Sequence, residues 1–384
     1  MNTRQLSVIC IAIAGAFVAA IIAAVAGLTA AGTATASVST PAWHLPRVRH
    51  VFVVNLENEN FSDAFGPASP ASYLSQTLRA QGQLLDNYYG VAHNSLPNYI
   101  AQISGQGPNP QTQGDCQTYT EFTKVATTAP GQAVGDGCVY PADVATLPGQ
   151  LANHRLRWKG YMEDIANSPT EAKTCRHPQI NAVDDTQQAH VGDEYAARHD
   201  PIVYFHSIID TPACAKSVVA LDQLSLDLQT VATTPNLSYI TPNLCNDGHD
   251  APCVDGRPGG LVSADAWLQT WIPKILASDA YRQDGMLVVA FDEAKATGSN
   301  ADASSCCGEG PGPNSPLPGI TGSGGGRVGA LVLSRWTRPG VVNATAYNHY
   351  ALLRSIEDLF GLGHLGYAQN PAVTSFGHDV FDAT

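Results

Sequence analysis

Ser95 lies where a nucleophilic hydroxyl could meet an anionic substrate, in the segment HNSLPNY at residues 93–99. Serine is a preferred N-cap and Pro97 suits a first helical turn, so a helix is predicted from here to Gly105. The free N–H groups and positive dipole end of a helix hold phosphate oxygens well. Ser95 is therefore either a helix cap or a nucleophile, and His93 either lines a pocket or hydrogen-bonds the turn.

Polar clusters follow three apolar, β-branched segments that are predicted to be buried strands. VFVVNL (51–56) leads into Glu57 and Asn58, LSYIT (237–241) into Asp247, His249 and Asp250, and MLVVAF (286–291) into Asp292 and Glu293. A single cluster of this kind is most simply a solvated loop. Ligands of open α/β sheets bind beyond the carboxyl ends of the strands, so the three clusters are predicted to share one crevice. The HNS segment joins them, because it follows another candidate strand, LLDNYYGV (84–91).

A site that gathers several carboxylates needs a counter-charge, because like charges repel and desolvation is costly. A divalent metal ion supplies it, and the oxygen and histidine donors leave Mg²⁺, Mn²⁺, Ca²⁺ and Zn²⁺ as alternatives. Such an ion would lower the pKa of a coordinated serine hydroxyl and neutralise the oxygens of a phosphoryl group. The residue types thus predict a metal-assisted site for phosphoryl chemistry.

The rest of the pattern places these strands in a layered α/β architecture. VGALVL (328–333) is a further strand candidate, and helical patterns cover 71–81, 97–103, 143–154, 263–278 and 347–360. Alternating strands and helices predict a mostly parallel central sheet flanked by helices. Trp267 and Trp271 are expected to pack on a core helix face. One domain is expected over residues 50–384, after a linker at 37–49.

The amino-terminal segment and the charge indicate where the protein works. Residues 1–36 are predicted to be a signal peptide, because Arg4 precedes an apolar run at 6–30 and Ala34-Thr35-Ala36 offers a cleavage site. The run approaches the ~20 residues of a membrane span, so an uncleaved cell-surface anchor is the alternative. Cleavage would give a secreted protein with no stable membrane partner. A formal net charge of −13, with only 20 Lys and Arg, argues against nucleic acid as a partner.

Eight cysteines lie beyond Cys10, at 116, 138, 175, 214, 245, 253, 306 and 307. An even number suits disulfides in an oxidising compartment. Cys116 with Cys138 and Cys245 with Cys253 are the expected local pairs, whereas the adjacent Cys306 and Cys307 are not expected to bond each other. Zinc is the competing interpretation, although the chain has no CxxC pair.

Six segments, in order, resemble the bacterial and fungal phosphoesterase family, which holds secreted acid phosphatases and phospholipases C within the alkaline phosphatase superfamily. They are ENENF (57–61), HNSLPNY (93–99), TPNLCNDGHD (241–250), FDEA (291–294), GGGRVGALVLS (324–334) and YNHYALLRSIEDLFGL (347–362). The resemblance covers residues from about 50 to 368. It implies an alkaline-phosphatase-like layered fold and a metal-dependent phosphoric-ester hydrolase.

The resemblance also implies roles, position by position. Ser95 would be the nucleophile and a metal ligand, and the other ligands would be Glu57, Asn58, Asp292 and Glu293. His249, with Asp247 or Asp250 as further ligands, falls where the superfamily has a second metal or phosphate-contacting histidines. His349 falls at the position of its last histidine ligand. The Asp-Glu pair at 292–293, where two-metal enzymes carry Asp-His, favours one metal, with His249 and His349 acting on the phosphate.

Other side chains have two interpretations each. His206, after the strand-like PIVYF (201–205), and Arg327, beside the glycine run, either contact substrate or have structural roles. The other histidines are predicted to be surface or structural residues: His154, His190, His199, His364 and His378.

The function expected from these residues is hydrolysis of small phosphomonoesters through a phosphoserine. A phospholipase C or other phosphodiesterase on the same site is the alternative. A Ser-His-Asp hydrolase is disfavoured, because GxSxG is absent and a triad leaves the acidic clusters without a role. In a non-enzymatic, cation-stabilised surface module, Ser95 would be only a cap. The sequence determines neither the metal nor the oligomeric state.

Overall fold

The computed structural model describes residues 43–382, so the predicted signal peptide and residues 37–42 of the predicted linker lie outside the described residues. The strands are β1 (His50–Leu56), β2 (Gln83–Leu85), β3 (Tyr88–Tyr89), β4 (Thr123–Thr128), β5 (Gln132–Asp136), β6 (Trp158–Met162), β7 (Val218–Ala220), β8 (Leu237–Thr241), β9 (Gly285–Phe291), β10 (Ala330–Ser334), β11 (Val342–Asn343) and β12 (Tyr347–Asn348). The α-helices are α1 (Phe61–Ala64), α2 (Ser95–Ser104), α3 (Leu147–Asn153), α4 (His206–Ile209), α5 (Pro212–Ser217), α6 (Asp222–Asp227), α7 (Gly260–Ala277), α8 (Asp279–Asp284) and α9 (His349–Phe360). No helix among the described residues is long and apolar enough to span a membrane.

Eight strands of the described chain form one sheet in the order β11-β2-β10-β9-β1-β8-β6-β7. β1 pairs in parallel with β8 and β9, and β6 pairs in parallel with β8 and β7. β10 runs antiparallel to both β9 and β2. Every residue of β1, β8, β9 and β10 is buried, as expected for strands covered by helices on both faces. The predicted α/β class with a mostly parallel central sheet is confirmed.

Several predicted elements differ in detail from the structure. LLDNYYGV divides into β2 and β3, and the helix predicted at 71–81 is a π-helical turn at Tyr73–Leu78. PIVYF is a 3₁₀ helix at Pro201–Tyr204 rather than a strand. Pro201 suits a first helical turn, and the Asp200 carboxylate accepts a hydrogen bond from the Ile202 N–H. The core packing of Trp267 and Trp271 is confirmed, since both are buried with ring centroids 6.1 Å apart.

Four disulfides join the eight cysteines of the described residues. Cys116–Cys138 and Cys245–Cys253 are confirmed, and Cys175–Cys214 is the third pair. The expectation that Cys306 and Cys307 do not bond each other was wrong, because they form the fourth disulfide. Cys307 has a left-handed backbone (φ 61°), unlike the extended conformation that would direct neighbouring side chains apart. No free thiolate remains in this part of the chain for the zinc interpretation.

Candidate active site

Ser95 is the first residue of α2, and its side chain is buried beside the residue that follows β1. Its Oγ donates a 2.8 Å hydrogen bond to Oε2 of Glu57. Tyr99, one helical turn along α2, donates its phenol to the other carboxylate oxygen, Oε1. Asp115, not Ser95, accepts the Leu96 N–H at the start of the helix, at 2.9 Å. The Ser95 hydroxyl is therefore directed at Glu57 and does not cap its own helix.

The two residues that follow β9 meet the two that follow β1, because β1 and β9 are parallel neighbours. The main-chain N–H of Asn58 donates to Oδ1 of Asp292 at 3.0 Å, and its side-chain amide donates to Oε1 of Glu293 at 2.8 Å. His93 contacts the other oxygen of Glu293 through Nδ1. Oδ2 of Asp292 is buried without a hydrogen-bond partner in the described part of the chain. The crevice predicted at these strand ends therefore holds an uncompensated carboxylate oxygen.

A third group of ligand-forming atoms lies on the β8 side of Glu57. One atom each of Glu57, His199 and Asp247 lie within 4.8 Å of one another. Nδ1 of His199 is 3.0 Å from Oδ2 of Asp247, and Nε2 is 3.4 Å from Oε1 of Glu57. The imidazole also stacks on the ring of Tyr99, with centroids 5.3 Å apart. The structure thus places His199, which was predicted to be a surface or structural residue, among the ligand-forming side chains.

His249 and its neighbours form the open side of this cluster. The His249 N–H donates to Oδ1 of Asp247 at 2.8 Å, and the ring Nδ1 lies 2.7 Å from Oδ1 of Asp250. The ring Nε2 lies 3.3 Å from a guanidinium nitrogen of Arg198. The His249 side chain is 34% exposed, whereas Glu57, Asp247 and Asp292 are fully buried. A molecule arriving from solvent would meet His249 before the carboxylates.

The electrostatics of the cluster favour a bound cation. Burial raises the pKa of Glu57 and of Asp247 well above the ordinary carboxyl range, and the charge of Asp292 raises that of Glu57 further. Burial also raises the pKa of Asp292 to about 6. Within the described residues, the three carboxylates form no ion pair with Lys or Arg. Oδ2 of Asp292 and Nε2 of His199 lack hydrogen-bond partners in the part of the chain that the structure describes, so the donor set fits a divalent metal ion.

The His349 side chain lies beside the cluster and contacts the main chain of Asp292, not its carboxylate. Its Nε2 donates to the Asp292 carbonyl at 2.5 Å, and its Nδ1 accepts from the Tyr88 hydroxyl at 3.0 Å. Burial lowers the pKa of His349 to about 4, so the ring is neutral at physiological pH. Both nitrogens are committed, which suits a residue that positions Asp292.

Two other predicted substrate contacts have different partners. His206 lies between the carboxylates of Glu121 and Asp210, at 2.7 and 2.9 Å. The Arg327 guanidinium donates to the Asp86 carbonyl at 2.6 Å and lies over the ring of Phe61. In the described structure neither side chain contacts the Ser95 cluster, and both have the structural partners that their alternative interpretation requires.

Sequence reasoning missed two side chains of the cluster, for different reasons. Tyr99 stands four residues after Ser95 on the same helix face, so its approach to Glu57 could have been predicted from spacing. His199 follows no strand, and it lies in a short 3₁₀ turn whose position depends on long-range packing. Only the folded structure brings it to Glu57.

Comparisons with known proteins show the family to which the chain belongs. The model of the Phosphoesterase family matches residues 69–363, and the chain belongs to this family. A probable acid phosphatase of Kluyveromyces lactis is 22% identical over 83% of this chain and 59% of its own length. A phosphate-repressible acid phosphatase of Penicillium chrysogenum is 24% identical over 88% of this chain and 65% of its own length.

Two further matches extend this set. A phosphatidylinositol-3-phosphatase of Mycobacterium tuberculosis is 25% identical over 87% of this chain and 85% of its own length. A solved structure from Vibrio parahaemolyticus, described as a protein of the alkaline phosphatase superfamily, is 11% identical with a TM-score of 0.46, covering 86% of this chain and 70% of that one. The chain spans 59% and 65% of the two fungal acid phosphatases above, and thus less than two thirds of each.

Proposed function

We propose that this chain is a metal-dependent phosphoric-ester hydrolase for small phosphomonoesters, with Ser95 as its nucleophile. The observation that carries the proposal is the 2.8 Å hydrogen bond from Ser95 Oγ to the buried Glu57 carboxylate at the start of α2. A hydroxyl fixed there, next to a helix amino terminus, suits attack on an anionic phosphoryl group. Membership of the Phosphoesterase family and the phosphatase names of the relatives support this chemistry.

The metal would be held by side chains that follow three strands, together with His199 from a 3₁₀ turn. Glu57, Asp247, Asp292 and His199 offer the buried donor atoms, with Ser95, Asn58, Glu293 and Asp250 beside them. When bound, a divalent ion lowers the pKa of a serine hydroxyl and neutralises phosphoryl oxygens. One ion is proposed, because the donor atoms of Glu57, His199 and Asp247 lie within 4.8 Å of one another and so could surround a single ion.

The protein's own residues then perform the transfer. Glu57 orients the Ser95 hydroxyl and takes its proton while Oγ bonds to phosphorus and the ester oxygen leaves. His249, whose imidazole is partly exposed, is proposed to give that leaving oxygen a proton. Water afterwards attacks the phosphoserine and gives its proton to His249, while Glu57 returns a proton to Ser95 Oγ as the bond from Oγ to phosphorus breaks. Inorganic phosphate leaves, and both side chains regain their starting protonation. Tyr99 and His349 hold Glu57 and Asp292 in place throughout.

We also propose that the protein works outside the cytoplasm. Four disulfides within residues 43–382 suit an oxidising compartment. The predicted signal peptide at 1–36 agrees with export, and the acidic charge agrees with a small phosphate ester rather than nucleic acid as the partner.

The proposal is tested with p-nitrophenyl phosphate and bis(p-nitrophenyl) phosphate, before and after chelation. We expect the monoester to be the better substrate, chelation to abolish turnover, and one divalent ion per chain to restore it. Asp292→Asn should lose both the ion and turnover while staying folded, whereas Asp279→Asn, at an exposed carboxylate, should keep both. Preference for the diester would make the chain a phosphodiesterase, and turnover that resists chelation would remove the metal from the account.

A further inference from the structure

Basic side chains are gathered at the edge of the sheet opposite to the candidate site. Ser95 contacts Glu57, which follows the carboxyl end of β1, whereas the amino ends of the parallel strands β1, β6, β7 and β8 lie at the other edge. Five exposed cations precede the strands there, and we call them the basic edge: Arg47, Arg49, Arg155, Arg157 and Lys216.

Contacts show that the basic edge is continuous. The side chain of Asn236, just before β8, accepts the Arg157 N–H at 2.9 Å and donates to the Arg49 carbonyl at 2.9 Å. Arg157 and Lys216 line the same open groove, which has a volume of about 570 Å³. Because β7, β6, β8 and β1 are successive neighbours in the sheet, the basic edge spans three strand spacings, or about 14 Å.

Nearby carboxylates do not compensate the charges of the basic edge. Among the described residues none of its five side chains forms an ion pair, whereas the neighbouring Lys159 is paired with Asp227 at 2.6 Å. The Arg157 guanidinium donates to two main-chain carbonyls, at 3.2 and 2.7 Å, which fix its position but carry no net charge. Asp284, just before β9, is bonded to His50. The basic edge therefore presents uncompensated positive charge to solvent.

The formal net charge of −13 does not prevent this edge from meeting an anionic surface. Interactions between exposed charges are largely screened beyond about 8 Å at physiological ionic strength. The carboxylates of the candidate site lie at the far ends of the strands, and β1 alone is seven residues long, or about 23 Å. The local positive charge therefore dominates at the basic edge.

We propose that the basic edge docks the protein on an anionic phospholipid surface, with the Ser95 edge left facing away from it. The apolar run at 6–30 is joined to the domain at this edge, because Arg47 and Arg49 lead into β1. Cleaved as a signal peptide or kept as an anchor, such a run directs a chain to a membrane. Basic residues close to such a run attract anionic headgroups.

The dimensions of the basic edge favour a surface as its partner. A single small anion could not reach cations that precede strands about 14 Å apart. Trp158 is buried beneath the cations and does not protrude, so the contact is electrostatic and is reversed by salt. The proposal stands apart from the hydrolase activity, because it names residues at the opposite edge of the sheet.

The test is co-sedimentation of the full chain with phosphatidylcholine vesicles, with and without an equal part of phosphatidylglycerol. We expect phosphatidylglycerol to tighten binding at least about tenfold, and this gain to disappear as NaCl rises from about 0.1 to about 1 M. Arg49→Gln with Lys216→Gln should weaken binding to the anionic vesicles about tenfold or more. Lys124→Gln with Arg257→Gln removes two charges that are paired with carboxylates elsewhere and should leave binding unchanged.

Two further controls keep the result interpretable. Any insertion of the apolar run at 6–30 appears as binding to the neutral vesicles and is common to all variants. If the Arg49/Lys216 double variant fails to fold, the salt dependence of the wild type and the two single variants still decide the matter.

Equal binding to neutral and anionic vesicles, or wild-type binding by the Arg49/Lys216 double variant, would overturn the proposal. Tighter binding of soluble polygalacturonate than of the anionic vesicles, at equal charge concentration, would also overturn it and make the basic edge a polysaccharide site. The double variant should keep wild-type turnover of p-nitrophenyl phosphate, so its loss of vesicle binding alone supports docking. A wild-type chain that binds anionic vesicles but has no turnover would count only against the proposed hydrolase.

Discussion

Glu57 is the single residue that connects the two halves of the candidate site, the Ser95 side and the His199 side. One of its oxygens accepts from Ser95, and the other accepts from Tyr99 and faces His199. It is fully buried, and the charges of Asp292 and Asp247 oppose its ionisation. Any change that alters the partners of this carboxylate should therefore change the orientation of the Ser95 hydroxyl.

Tyr99→Phe removes one of these partners without removing the ring. We expect kcat for p-nitrophenyl phosphate to fall about tenfold, because a hydrogen bond to a charged group contributes about 1.5 to 3 kcal/mol. The melting temperature should change little. Tyr281→Phe makes the same chemical change at a distant tyrosine and should leave kcat unaltered. A Tyr99→Phe enzyme with wild-type kcat would show that the phenol does not position Glu57.

His199→Gln tests the side chain that sequence reasoning did not place in the site. If His199 supplies a nitrogen ligand, the variant should bind its divalent ion at least about tenfold more weakly, as measured by metal analysis after dialysis. His206→Gln is the matched control, since His206 lies between Glu121 and Asp210. Equal metal content in the two variants would exclude His199 as a ligand.

Among the structural elements, the loop between β8 and α7 carries three residues of the candidate site, Asp247, His249 and Asp250. All three lie inside the ring closed by Cys245–Cys253. Cys175–Cys214 closes a much larger ring that contains His199 but none of these three residues. The small ring should therefore matter more for the geometry of the loop than for the stability of the chain.

Replacing each pair by serines separates these two effects. From chain entropy, loss of Cys245–Cys253 should cost about 2 to 3 kcal/mol of unfolding free energy, and loss of Cys175–Cys214 about 4. We expect the order to reverse for kcat, with the larger fall in the Cys245/Cys253 double variant. Denaturant unfolding and steady-state kinetics on both proteins give the comparison. A larger kcat loss in the Cys175/Cys214 variant would contradict this assignment.

The elements that could be predicted from sequence are those whose own residues determine them. β1, β8 and β9 are continuous apolar runs, and the polar residues after them lie at one edge because parallel neighbours end together. β6 was missed, since WKGYM is a strand only through its pairing with β7 and β8. PIVYF was misassigned because its apolar composition also suits a buried 3₁₀ turn that begins at a proline.

Across the whole molecule, packing between residues far apart in sequence determines the features of the site that the sequence did not predict. The chain between β6 and β8 returns His199 to Glu57, and no local pattern indicates that return. α9 packs against α2 and places His349 against the Asp292 carbonyl. It also buries Glu357, whose Oε1 accepts the Leu365 N–H while Oε2 has no partner among the described residues.

Glu357 predicts a pH dependence of stability. Burial raises its pKa to about 9, so the folded state favours the protonated carboxyl. The stabilisation from that proton is fully present below the ordinary carboxyl pKa of about 4.3 and is lost as the pH rises through about 9. We expect Glu357→Gln to flatten the fall in melting temperature between pH 5 and pH 9. Asp279→Asn, at an exposed carboxylate, should leave the fall unchanged, and an unaltered slope in Glu357→Gln would show that Glu357 is not protonated in the fold.

The central claim is covalent catalysis at Ser95, and acid quenching during turnover of a ³²P-labelled monoester tests it most directly. We predict label on the peptide that contains Ser95, none in Ser95→Ala, and a loss of turnover by several orders of magnitude in that variant, which should remain folded. Ser95→Thr, which keeps the hydroxyl but crowds it with a methyl group, should retain weak activity. Two results together would contradict covalent catalysis at Ser95: an unlabelled peptide, and a Ser95→Ala variant that keeps more than about a tenth of wild-type turnover. Such a variant would have lost under ~1.4 kcal/mol of transition-state stabilisation.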